Sequence, residues 1–287
     1  VARKVGIVKA ALERASVRRG TWKSSTKTSL RVRRGQEKTK TKSKSTKMLG
    51  RTPWQRQLPP AKILAELGGA DGITVHLRED RRHIQDHDLK RLAETVALPL
   101  NLEMAATDAM PEIAPATRPH MAMLVPEGRQ EITTEGGLDV LGQFDELQRA
   151  VGTLRDGGLP VSAFIDAEPE QIEAAARCGF VVCEIHTGPY AHAFHRHGND
   201  VEHPEVQQEL TRVREAGAAI VSHGMQFNAG HALTIWNVPW IAALPDLREL
   251  HIGHSIVSRA VFTGFRTAVA DIKSVMDTAA EGAHADA

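Results

Sequence analysis

From Ala61 onward, apolar positions recur with two periods in turn. Short runs rich in β-branched residues or leucine, such as Ile73-Thr74-Val75, read as strands. Between them, apolar residues return every three or four positions, the spacing of a helix with one buried face. The pattern predicts strands over 73–76, 100–103, 120–125, 161–166, 181–186, 225–228 and 247–252. It predicts helices over 61–67, 86–96, 107–116, 138–156, 168–177, 204–222, 238–244 and 255–280. Residues 126–137 read as a long polar loop, and the Gly-, Pro- and His-rich stretch before Pro204 as another. Strict alternation of strand and helix means βαβ units and a parallel sheet. Seven strands preceded by a helix nearly complete a (β/α)8 TIM barrel, so the predicted class is α/β with the first strand atypical or missing.

The missing stave should precede the helix at 61–67. Composition changes the picture there. Of the chain's 36 Lys and Arg, 16 lie in residues 1–50 with only two of its 35 acids, which leaves 20 basic against 33 acidic residues beyond. Thr21 to Lys47 is Lys, Arg, Ser and Thr with little to bury, so it cannot offset its ordering entropy. Residues 1–58 are therefore expected to be a disordered basic segment, or the product of a frameshifted or mis-joined N-terminus, with the catalytic barrel at 59–287. The apolar candidate for the first strand is Val5-Gly6-Ile7-Val8, far upstream and with no polar cluster after it.

The remaining bounds are simple. An apolar content of 41% supports a full core. No apolar run reaches the roughly 18 residues of a membrane span. The basic N-terminus lacks the apolar core of a secretory signal. Cys178 and Cys183 have the spacing of neither a zinc knuckle nor a redox pair, so both are expected to be buried thiols in a reducing, cytoplasmic setting.

The chemistry gathers where the strands end. Those ends are His76-Leu-Arg78, Glu103-Met, Val125-Pro-Glu127, Asp166, Glu184-Ile-His186-Thr-Gly188, Asn228-Ala-Gly230-His231 and Gly253-His254-Ser255. In a barrel all of them project at one face, and their carboxylates and imidazoles meet in one cavity. Singly, each is more often a structural histidine or a salt-bridge partner. Together they point to acid–base chemistry on a small molecule. Gly253 would let backbone approach a ligand, and Ser255 opens a helix whose N–H groups can hold phosphate.

The stretches 69–84 (GADGITVHLREDRRHI), 101–104 (NLEM), 125–140 (VPEGRQEITTEGGLDV), 184–188 (EIHTG), 228–231 (NAGH) and 252–254 (IGH) together resemble the pyridoxine 5′-phosphate synthase family, over about residues 60–280. The resemblance implies condensation of 1-deoxy-D-xylulose 5-phosphate with 3-amino-2-oxopropyl phosphate. It also implies a cytosolic homo-octamer with no metal or redox cofactor. By position, His76 and Glu103 resemble proton acceptors, His231 the proton donor, and Glu184 a residue that stabilises the transition state. Arg78, His83 and Thr133 resemble contacts to the deoxyxylulose phosphate. Ala232, Gly253 and His254 resemble the phosphate cradle for the amino ketone.

Two departures stand out. Ala232 occupies a position where the family usually has Gly, which is tolerable unless φ is positive. The family's Asn-x-Asp-His motif on the first strand is absent from residues 1–60. The alternatives are an inactive barrel relic whose basic arm binds nucleic acid, and another phosphate-binding barrel enzyme. For an aldolase, no strand-end Lys is placed to form a Schiff base. A metal reading would rest on His192, His195, His197 and His203, whose spacing is irregular, and no metal, membrane or nucleic-acid partner is expected.

Overall fold

A computed structural model of the chain describes residues 7–9, 58–107, 109–127 and 136–285. Eight parallel strands close into a barrel in sequence order. They are β1 (Ile7–Lys9), β2 (Gly72–His76), β3 (Leu100–Met104), β4 (Met121–Leu124), β5 (Val161–Ile165), β6 (Val182–His186), β7 (Gln226–Gly230) and β8 (Leu247–Ile252). Helices α1 (Leu58–Leu67), α2 (Asp86–Thr95), α3 (Met110–Thr117), α4 (Phe144–Asp156) and α5 (Pro169–Cys178) connect the first six strands. After β6 come α6 (Gly188–Arg196) and α7 (Pro204–Ser222), then α8 (Val238–Ala242) after β7, and α9 (His254–Thr263) and α10 (Phe265–Ala285) to close the chain.

The first strand is atypical rather than missing. Ile7 pairs with Gly72 of β2 and His251 of β8, and Val8 with Ile73 and Ile252. The upstream apolar candidate thus supplies the stave, at three residues against five in most of its neighbours. The rest of the basic segment lies outside the described residues, and so does Thr133.

Strand alternation sorts the side chains into two layers. One face packs on the helices, with Val75, Leu102, Leu124, Ile165, Ile185, Ala229 and Leu250 among the buried core. The inner face holds a small apolar plug of Met121, Met123, Val125, Phe164 and Val182. Elsewhere inside, the barrel is polar: Thr74, Asn101, Glu103, Ser162, Glu184, Asn228 and His251 are all buried. A barrel lined this way gives up apolar burial at its centre, and the polar groups must satisfy one another.

Three elements differ from the pattern-based expectation. Residues 138–143 are turn and loop, and α4 starts only at Phe144, because Val140 N–H is taken by Gln171 Oε1 at 2.7 Å. The His-rich stretch contains α6, started by Pro189 in its first turn and buried through Tyr190 and Phe194. The closing helix is two helices, broken at Gly264, whose φ of 80° and ψ of 152° no helix accommodates. Cys178 and Cys183 are buried free thiols, pushed up by burial to about 11 and about 12. Among the described residues no helix is long and apolar enough to cross a membrane.

Candidate active site

The carboxyl ends of the strands open on a cavity of about 650 Å³, lined by His76, His231, Ala232, Gly253, His254 and Ser255 among others. It lies between the ends of β7 and β8, the length of α9 and the first turns of α10. Of the residues singled out from sequence, the fold brings these to one mouth. Glu103 and Glu184 lie just below it on the inner face, 1% and 2% exposed.

His76 ends β2 beside Glu103 of β3, its partner in register. Its Nδ1 is 3.8 Å from Glu103 Oε2, and its Nε2 is 2.8 Å from Glu127 Oε1. The imidazole is therefore bracketed by two carboxylates. The other oxygen of Glu127 accepts the backbone N–H of Glu79 at 3.1 Å. Burial would raise the Glu127 carboxyl, but the His76 hydrogen bond and charge, the Glu79 N–H and the charge of Arg78 hold it below the usual range. Such an imidazole can pass a proton between substrate and carboxylate. Arg78 is buried just past β2, with Nε 3.8 Å from Asp80 Oδ1, and His83 is half-buried on the loop that follows.

On the opposite side, Thr187 ties the end of β6 to that of β7. Its N–H donates to Gly230 O at 2.9 Å, and its hydroxyl lies 2.7 Å from Gly230 O and 2.6 Å from His231 O. His231 then turns into the cavity at φ 80°, followed by Ala232 at φ 56°. Its ring meets the edge of His186, centroids 4.9 Å apart, and both rings touch Phe164. His186 Nδ1 is 2.8 Å from Asp166 Oδ1, while Asp166 Oδ2 accepts the N–H of Gly137 at 3.0 Å. The His186 hydrogen bond outweighs burial and draws the Asp166 carboxyl down. Gly253 caps α9, and Ser255 Oγ donates to Leu233 O at 2.7 Å, which fixes the helix start against the loop after β7.

Several members of the site carried no role in the sequence reading. Glu127, Asp166 and His186 stood out only as polar strand ends, and the contacts that pair them are long-range. His251 was missed because it precedes the strand end. The available signal was its period-two alignment with Glu249 and Gly253. The metal reading loses His192 and His195. Among the described residues, His197, His203 and Glu205 bring ligand atoms within 4.8 Å of one another. Their hydrogen bonds explain the cluster as a lock on α7: His203 Nδ1 accepts the Glu205 N–H at 3.2 Å, and His197 Nε2 lies 2.6 Å from Glu205 Oε2.

The comparisons with known proteins agree with this geometry. The family model described as "Pyridoxal phosphate biosynthesis protein PdxJ" matches residues 55–278. The chain is 61% identical over 232 residues to pyridoxine 5′-phosphate synthase of Azoarcus sp. (strain BH72), covering 81% of this chain and 93% of that one. It is 63% identical over 219 residues to the protein of the same name from Dechloromonas aromatica (strain RCB), covering 76% and 87%. Solved structures share the fold at low identity. The Amycolatopsis orientalis BexX/CysO complex matches at 14% identity and TM-score 0.53, covering 80% of this chain and 87% of that chain. KGPDC from Streptococcus mutans matches at 11% and 0.52, covering 76% and 91%. The family match thus spans every strand from β2 to β8 and each strand-end residue of the cavity, and the chain belongs to the pyridoxal phosphate biosynthesis protein PdxJ family.

Proposed function

We propose that this chain is a pyridoxine 5′-phosphate synthase, joining 1-deoxy-D-xylulose 5-phosphate to 3-amino-2-oxopropyl phosphate by acid–base catalysis. The observation that carries the reading is His76, bracketed by Glu103 and Glu127 on the same cavity as His231 and the start of α9. Imine formation, dehydration and ring closure each move protons, and several His and Glu groups at one mouth supply acceptors and a donor. His76 and Glu103 act as acceptors, His231 as donor, and Glu184 stabilises charge in the transition state. Arg78, His83 and Thr133 hold the deoxyxylulose phosphate. Ala232, Gly253 and His254 cradle the phosphate of the amino ketone, where the N-terminus of α9 favours an anion. The reaction draws on no metal or redox cofactor.

The setting is cytoplasmic, and the working form is a homo-octamer. Exposed Trp236, Val261 and Phe262, at 71%, 79% and 89%, form apolar surface suited to contact between copies. The Asn-x-Asp-His motif is absent from residues 1–60, so the chain should be much less active than a version with that motif restored. Glu103→Gln and His231→Asn should each lower turnover by about a hundredfold or more while the melting temperature stays near that of the parent. Near-full activity in either variant removes the assignment.

A further inference from the structure

We propose that His251, buried in the barrel wall, is a positioning residue that holds the Glu184 carboxylate in place and aimed at the cavity from behind. The inference rests on the role of Glu184 given above.

The argument begins with strand alternation. Leu250 and Ile252 belong to the core between strands and helices, so Glu249 and His251 face inward. His251 Nδ1 is hydrogen-bonded to Glu184 Oε2, and its Nε2 lies 3.5 Å from Glu249 Oε2. Its side chain has no exposed surface. Glu184 stands on β6 and His251 on β8, with β7 between them. The carboxylate crosses β7 at Gly230, where a Cβ would overlap Glu184 Oε1 and sit 2.8 Å from His251 O. Glycine at this position is what lets two strands that are not neighbours share an ion pair.

Lower in the wall, Asn228 Nδ2 donates to Glu249 Oε2 at 3.3 Å, and Gln226 Nε2 to Asn228 Oδ1 at 3.0 Å. Burial alone would depress the imidazole, but the charge and hydrogen bond of Glu184 and the charge of Glu249 hold His251 up at about 10. The two carboxylates that flank the ring favour its cationic form. Among the described residues, the titratable groups on the elements that flank this pair are His186 on β6, Asp166 after β5, His231 after β7 and Glu249 on β8. With Oε2 held by His251, the Glu184 side chain keeps a fixed orientation in which Oε1 lies over Gly230. A neutral residue at 251 could fill the space and even donate a hydrogen bond, but it would not keep the charge.

Two measurements test this. The first is the pH dependence of kcat for His251→Gln, His251→Asn and Glu184→Gln. Replacing His251 removes the positive charge that faces the Glu184 carboxylate, so the acid limb of kcat in the His251 variants should move to higher pH. At pH 7 kcat should fall by about tenfold or more, with KM changed far less. A His251 variant with the parent's acid limb, whether its kcat is kept or lost, overturns the inference provided Glu184→Gln is impaired. If Glu184→Gln is itself fully active, it is the reading of Glu184 that fails. The second measurement needs no variant. Nitrogen-15 NMR of histidine-labelled chain should show an imidazolium persisting at pH 8.5, well above the ordinary histidine value of about 6.5. Its absence overturns the inference even if the variants fail to fold.

Discussion

His231 and Ala232 follow one another at φ 80° and 56°. Holding a non-glycine residue in the left-handed region costs about 1–2 kcal/mol. At His231 that strain turns the imidazole into the cavity. At Ala232 it does nothing that glycine would not do. Ala232→Gly should therefore raise stability, by about 0.5–1 kcal/mol once glycine's greater freedom in the unfolded chain is deducted; a denaturant titration with an unchanged or lower midpoint would count against the strain. His251 gives a pH effect of definite sign. Its folded value of about 10 exceeds the unfolded value of about 6.5. The stabilisation is thus complete below pH 6.5 and is lost as pH rises toward 10. Thermal melts should show a fall in melting temperature across that window that is steeper in the parent than in His251→Gln. Equal slopes would show that the imidazole is not charged in the fold. The sequence marked Ala232, where the family usually has Gly, but not the positive φ that strains it. The partners of His251 stand 67 and two residues away and left no such mark.

Strand β1 shows what element patterning can and cannot decide. The apolar run at Val5 to Val8 was visible, but its separation from α1 by the basic tract argued against its use. The need to close the sheet decides the matter, because an open edge between β2 and β8 would leave two rows of backbone groups unpaired. Ile7 and Val8 pair on both sides. Val8→Pro removes an amide from this ladder, and proline is tolerated only at sheet edges. It should lower the melting temperature and promote aggregation, seen by light scattering on heating. A variant as stable as the parent would mean that closure by β1 contributes nothing. The strands from β2 to β8 were legible because their apolar runs are bounded by Gly, Pro and polar clusters. Helix α6 was not, because His192, His195 and Pro189 mask the Tyr190 and Phe194 pair that buries it.

At the scale of the whole molecule, the barrel converts dispersed sequence positions into one site. Convergence of His76, His231, Gly253 and His254 on a cavity was predictable, since parallel strands all end at one face. The partnerships beneath were not: Glu127 reaches His76 across 51 positions, and Asp166 reaches His186 across 20. These pairings give the strand-end histidines fixed neighbours, and the proposed reaction needs them as a set. The most direct test is the rate at which the purified full chain forms pyridoxine 5′-phosphate from 1-deoxy-D-xylulose 5-phosphate and 3-amino-2-oxopropyl phosphate, with its Glu103→Gln variant assayed alongside. The account predicts product that requires both substrates and falls by about a hundredfold or more in the variant. A folded parent chain that forms no product, or that forms it no faster than Glu103→Gln, would contradict it.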